Sequence, residues 1–571
     1  MTGPKAPKDP TKKREGFYIM HNKDIAAAPQ ADGTGMCPIY ESDGRLINAA
    51  KLVGNIADEE ELKCLETVEG FKKLVHSIGV TVESDKSDDN VHFVFQMYGK
   101  NDLYGGGTNL TLDLPMDGME YIIPLEGITW REDDDVPGQI RYEFKEPGIK
   151  AIVSVKLYLN DGFSAPPVEE ETPIDFESED YKKIIEKSLM QTGNNYRLKK
   201  AIDKARAKEN VSIAFIGGSI TQGAGAVPIN SECYARKIYE GFCDITGNEV
   251  DSNIKYVKAG VGGTPSEVGI LRYEKDILSE CTPDVVIVEF AVNDEGDETK
   301  GDFYDSLVRK IYNGPGKPAV ILLFAVFAND WNLQDRLGCV GESYNLPMVS
   351  TLNSVVDQFK KKKGEGKVLS KNQFFYDMFH PTNAGHKIMA DGVLNLMKIV
   401  DTSSYDDEAP ELSDIIAPKS AEFENIVLVD RKNNTVNAVI NEGSFKLVDT
   451  ELQFVERNMD LKGSPEFADN WMYDGSKIAM NEYESFTLDV ECTALVLAFK
   501  DSADNGVGKA DIYVDGEKVY YADPRVNGWT HCNAAIILRN APKKIHHVEV
   551  RLSEGSENKL FTILGFGVVV S

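Results

Sequence analysis

Four short segments carry residue types that can break an acyl bond. The first is Gly217-Gly218-Ser219-Ile220-Thr221. It follows an apolar run, Val211 to Ile216, that reads as a buried strand. Open α/β sheets bind ligands beyond the carboxyl ends of their strands, which puts Ser219 at the working edge. The glycines permit a tight turn and let a substrate approach the backbone. A neutral serine is a weak nucleophile and needs a base, most often His. The second segment, Asp377-Met378-Phe379-His380-Pro381, offers one. Its spacing lets Asp377 and His380 meet within one local turn, where a carboxylate fixes the imidazole tautomer and stabilises the imidazolium. The third is Ala291-Val292-Asn293-Asp294, directly after a strand-like run ending at Phe290. Asn293 there can turn its side-chain NH₂ toward a developing oxyanion. The fourth, Gly260-Val261-Gly262-Gly263-Thr264-Pro265-Ser266, precedes a helix and offers bare backbone N–H donors at its N-terminus. Each segment alone also has an ordinary reading, as a loop, a helix-end His, an Asn-Asp turn or an N-cap at Ser266.

Taken together the segments run in the order Ser, Gly, Asn, Asp-x-x-His. That order resembles the SGNH branch of the GDSL-type hydrolases over about residues 195–400, roughly a third of the chain. The first block appears with Gly218 where many members carry Asp. The resemblance implies a serine esterase in which Ser219 attacks, His380 accepts its proton and Asp377 orients His380. It further implies an oxyanion hole built from the Ser219 and Gly263 backbone N–H groups and the Asn293 side chain. No cofactor and no metal are expected, since a triad needs no Lewis acid and the His and Cys residues lack ligand spacing.

These residues require a scaffold. Between about 178 and 402, apolar runs at Val211–Ile216, Asp284–Phe290 and Pro318–Phe327 alternate with helical periods. Helices are expected near 195–209 and 383–398. This is a doubly wound parallel-sheet pattern. Residues 1–165 read as a mainly-β domain, with strands around Val91–Phe95 and Lys150–Val155 and one helix over 58–77. Residues 420–571 read as a jelly-roll-like β-sandwich, with a hairpin turning at Asp515-Gly516. Pro-rich and acidic stretches, Ser164–Pro173 and Asp401–Pro418, are expected to link the three parts.

Composition narrows the partners. The 571 residues hold 62 basic and 92 acidic side chains, a formal charge of −30, which disfavours nucleic acid and anionic membrane surfaces. No stretch approaches the ~20 apolar residues of a membrane span. The N-terminus has no apolar signal region, and eight cysteines show no CxxC pairing, so a reducing, cytoplasmic setting is expected. The layout, an SGNH domain between β modules, resembles multi-modular carbohydrate acetylesterases, which points to an acetylated oligosaccharide as substrate. Trp331, just past a strand end, is a candidate surface for a sugar ring. His386 reads as structural. The competing functions are a lipid-directed esterase or thioesterase of the same fold, and a carbohydrate-binding protein with an inactive core.

Overall fold

Strands that are apolar along their whole length must be covered on both faces, and the middle of the chain is built that way. In the computed structural model, which describes residues 14–570 apart from 88, 169, 456–463, 479–481 and 503, Val285–Glu289 and Ala319–Phe324 are buried at every position. They belong to a six-stranded sheet. Its order is Leu189–Gln191, Met348–Ser350, Ala319–Phe324, Val285–Glu289, Val211–Gly217 and Ile254–Gly260. All neighbours are parallel except the edge strand Leu189–Gln191. Helices cover the two faces. Tyr234–Thr246 turns Ile238 and Phe242 onto one face and stops at Gly247, whose φ of 65° favours glycine. Ser266–Tyr273 and Asp302–Asn313 cover the other.

By contacts the chain forms two compact units. One is Met1–Asp175 with Lys362–Gly385, the other Phe176–Lys361 with His386–Ser571. The first unit holds two antiparallel sheets over one core. One runs Gly16–Ala26, Lys150–Leu159, Val75–Glu83, Asp117–Pro124. The other runs Ala28–Pro29, Gly35–Tyr40, Asp134–Phe144, Asn90–Gly99, Asn109–Pro115. The single helix expected over 58–77 is instead two, Glu59–Lys63 and Val68–Leu74, followed at once by the strand Val75–Glu83. Thr67 starts a new helix by capping the Gly70 N–H, and the β-branched run through Val80, Thr81 and Val82 takes the chain into the sheet.

In the second unit the C-terminal sandwich pairs two five-stranded antiparallel sheets around Trp471, Phe486 and Phe566. The hairpin Ala510–Val514/Glu517–Ala522 turns at Asp515-Gly516, both with positive φ. The outer face of one sheet continues the core of the α/β sheet: a Cβ on Gly567 would meet Leu271 at 2.5 Å. The stretch Asp401–Pro418 does not hang as a linker. Leu412 is buried, Tyr312 donates to the Pro410 carbonyl and Asn195 to that of Ser404. Of the other expected linker, Ser164–Pro173, residue 169 lies outside the described residues. No helix among the described residues is long and apolar enough to cross a membrane.

Candidate active site

Ser219 opens a four-residue helix, Ser219–Gln222, immediately after the strand Val211–Gly217. That strand pairs with Ile254–Gly260 on one side and Val285–Glu289 on the other, so successive crossovers leave it in opposite directions. Open sheets of this kind bind ligands at such a switch point, and Ser219 follows the carboxyl end of this strand. The turn is held from beneath. The Thr221 hydroxyl lies 2.7 Å from that of Tyr234, and Lys258 donates to the Gln222 carbonyl at 2.8 Å. The buried guanidinium of Arg272 clamps both strand ends, donating to Gly217 O at 2.7 Å and Ala259 O at 2.8 Å while pairing with Asp276.

Asn293 begins the turn after Val285–Glu289 and lies against the serine loop. A Cβ on Gly218 would fall 2.1 Å from its Oδ1, which explains why glycine stands before Ser219 here. The next residue, Asp294, accepts from Ser266 N–H at 2.7 Å and so ties the Asn turn to the helix after the glycine loop. Burial pushes the Asp294 carboxyl up to about 7. It also pushes Glu289 up to about 8, with the charge of Asp294 adding to the effect. Glu289 ends its strand and Asp294 stands in the turn that follows, so both acids sit at the sheet edge that carries the site.

Gly263 has φ of 70°. Its carbonyl lies 3.1 Å from His531 Nε2, and the Gly262 carbonyl accepts from Gln453 Nε2 at 2.8 Å. Gln453 in turn accepts from Cys532 N–H at 2.8 Å. The glycine loop is thus held by the C-terminal sandwich. Trp529 lies over it: a Cβ on Gly263 would meet the indole at 2.9 Å. That side of Trp529 is in contact, yet the residue is 44% exposed. Trp331 is placed otherwise. It pairs with Phe327 in a tight loop and packs against the α/β core.

Asp377 and His380 meet as the spacing predicts. The Asp377 oxygens lie 2.8 and 3.0 Å from His380 Nδ1, and Oδ1 also accepts from the backbone N–H of Phe379 and His380, each at 2.8 Å. Burial opposes ionisation of Asp377, but the imidazole and these N–H groups outweigh it and hold the carboxyl below its usual range. The arrangement directs Nδ1–H at the carboxylate and leaves Nε2 as the basic nitrogen. This segment belongs to the same compact unit as the N-terminal β sheets. His386 is buried, accepts from Tyr234 N–H at 3.2 Å and contacts Ala224 O at 3.1 Å. Among the described residues no cluster of His, Cys, Asp and Glu could hold a metal.

Sequence reasoning did not single out Arg272, Gln453 or His531. Each acts on backbone carbonyls distant in sequence, and that leaves no local pattern to read.

The chain thus has a doubly wound α/β domain with flanking β-rich regions. Residues 215–388 match the GDSL-like Lipase/Acylhydrolase family. A structure described as a two-domain esterase (CEX) active on acetylated mannans is 30% identical, with a TM-score of 0.56, over 67% of this chain and 98% of that chain. A second, of a two-domain esterase co-crystallised with mannopentaose, aligns with the same identity and TM-score over 68% and 98%. No curated protein sequence matches the chain. The chain belongs to the GDSL-like lipase/acylhydrolase family and is a carboxylic ester hydrolase.

Proposed function

We propose that this protein removes acetyl groups from carbohydrate oligosaccharides by a serine mechanism. Ser219 Oγ attacks the ester carbonyl as His380 takes its proton, and Asp377 stabilises the imidazolium. The oxyanion is received by the Ser219 and Gly263 N–H groups and by Asn293. Collapse releases the sugar hydroxyl, protonated by His380, and water then frees acetate by the same route reversed. Trp529, exposed beside Gly263, offers a face for a sugar ring, and the half-buried Trp331 past the strand Ala319–Phe324 is the second candidate. A charge of −30 disfavours anionic lipid surfaces, and the cysteine usage suits a cytoplasmic enzyme acting on imported oligomers.

The observation that carries the substrate reading is the 30% identity to an esterase active on acetylated mannans across 98% of that chain. The test is a panel of acetylated manno- and xylo-oligosaccharides, phospholipids, and acetyl, butyryl and octanoyl chromogenic esters, with Ser219→Ala alongside. Acetate release from oligosaccharides with a preference for acetyl esters is expected, and Ser219→Ala is expected to be folded and almost inactive. Preference for octanoyl esters or phospholipids would defeat the sugar reading. A folded, fully active Ser219→Ala would defeat the serine reading.

A further inference from the structure

Lys23 lies on the strand Gly16–Ala26, whose Phe17, Ile19 and Ile25 enter the core of the N-terminal sheets. The pairing of this strand with Lys150–Leu159 slips between Met20 and Lys23, and such an irregularity re-aims a side chain. Lys23 is 3% exposed, and its Nζ donates to the carbonyls of Asn372 at 2.7 Å and Phe375 at 2.6 Å. Around it stand the carboxylates of Glu171, Asp377 and Asp24, while burial draws the ammonium down to about 8.

The same segment is tied at further points. Asn372 Nδ2 donates to His21 O at 3.2 Å and to Glu171 at 2.9 Å, Ser370 donates to Glu171, and Gln373 donates to Thr172 O at 2.8 Å. Beyond it the chain makes a closed loop. Phe375 pairs with Pro381, and Tyr376 N–H donates to His380 O at 2.8 Å. Asp377 and His380 are the two side chains at its tip that face one another. Burying an ammonium is costly, and an apolar residue would serve the core as well or better. What the cation adds is a grip on the stem of this loop.

We propose that Lys23 is a positioning residue for the esterase, holding the stem of the Asp377–His380 loop. This rests on the reading of Asp377 and His380 as the acid–base pair. The experiment uses full-length Lys23→Met, Lys23→Arg and Asn372→Ala, with Ser219→Ala and His380→Ala as references. Steady-state kinetics on a chromogenic acetyl ester are paired with amide hydrogen exchange. Misplacing a catalytic group by about 1 Å can cost about 10²-fold. Lys23→Met should therefore lose roughly 10–100-fold in kcat with KM within about twofold. Exchange should quicken over residues 372–382 while the strands Val75–Glu83 and Lys150–Leu159 keep wild-type protection. Lys23→Arg, which keeps the charge and the N–H donors, should recover part of the loss. A Lys23→Met protein with wild-type kcat and unchanged exchange overturns the proposal. If Lys23→Met loses protection throughout the sheets, Asn372→Ala decides: a fall in kcat at constant KM supports the proposal, and wild-type kcat overturns it. Full activity in Ser219→Ala or His380→Ala would instead remove the serine reading itself.

Discussion

The Nε2 atom of His531 lies 3.1 Å from the carbonyl oxygen of Gly263. A carbonyl only accepts, so Nε2 must carry the hydrogen. Nδ1 lies 3.1 Å from both Asn527 Nδ2 and Asn533 Oδ1. Burial holds His531 below the usual imidazole value, against the hydrogen bonds to Gly263 and Asn533 that raise it. His531 therefore holds the Gly263–Thr264 peptide, while Gln453, donating to the Gly262 carbonyl, holds the adjoining peptide whose Gly263 N–H is proposed to receive the oxyanion. Direct loss of an oxyanion donor costs about 10²–10³ in kcat. His531→Leu, acting one step removed, should cost roughly 10-fold with little change in KM. Unchanged kcat on an acetyl ester would mean that the loop holds its shape without His531.

Asn293 and Gly218 form a steric pair at the proposed oxyanion hole. Asn293→Ala should lower kcat by about 10²–10³ while the protein melts near the wild-type temperature. Gly218→Ala should lower both activity and stability, because its methyl group would fall 2.1 Å from Asn293 Oδ1. Kinetics and thermal melts on the two variants check this. An active, stable Gly218→Ala would show that the Asn293 amide has room to move.

Arg272 and Asp276 form a fully buried ion pair that also clamps two strand ends. Removing one partner of such a pair typically costs about 3–5 kcal/mol, because the other charge stays buried. Arg272→Met should lose about that much by urea denaturation, and Arg272→Met with Asp276→Asn should regain part of it. Equal stability of the single and double variants would show that Asp276 is not the group left exposed to the penalty.

Glu289 and Asp294 make stability depend on pH near neutrality. Both carboxyls have folded pKa values above their unfolded ones. The fold therefore binds these protons more tightly, and stability falls as pH rises between the two values and levels off above them. For Glu289 the window runs from 4.5 to about 8, and for Asp294 from 3.8 to about 7. Glu289→Gln keeps the shape without the proton. It should flatten the loss of stability between pH 5 and 8 by about 1–4 kcal/mol, read from denaturant unfolding at each pH. An identical slope in the variant would assign the effect to other groups.

The α/β core, the hairpin at Asp515-Gly516 and the Asp377–His380 contact were all legible in the chain itself. Each depends on local pattern: continuous apolar strands, a turn demanding positive φ, a carboxylate three residues before an imidazole. The helix expected over 58–77 was broken by a cap at Thr67 and a strand at Val75, where sheet pairing outweighed helical period. Tertiary structure alone decided what grips the site. Lys23 reaches carbonyls 349 and 352 residues away, and His531 reaches one 268 residues away. A backbone carbonyl is the same at every residue, so its partner leaves no mark on the sequence around it. Only the folded chain brings donor and acceptor together.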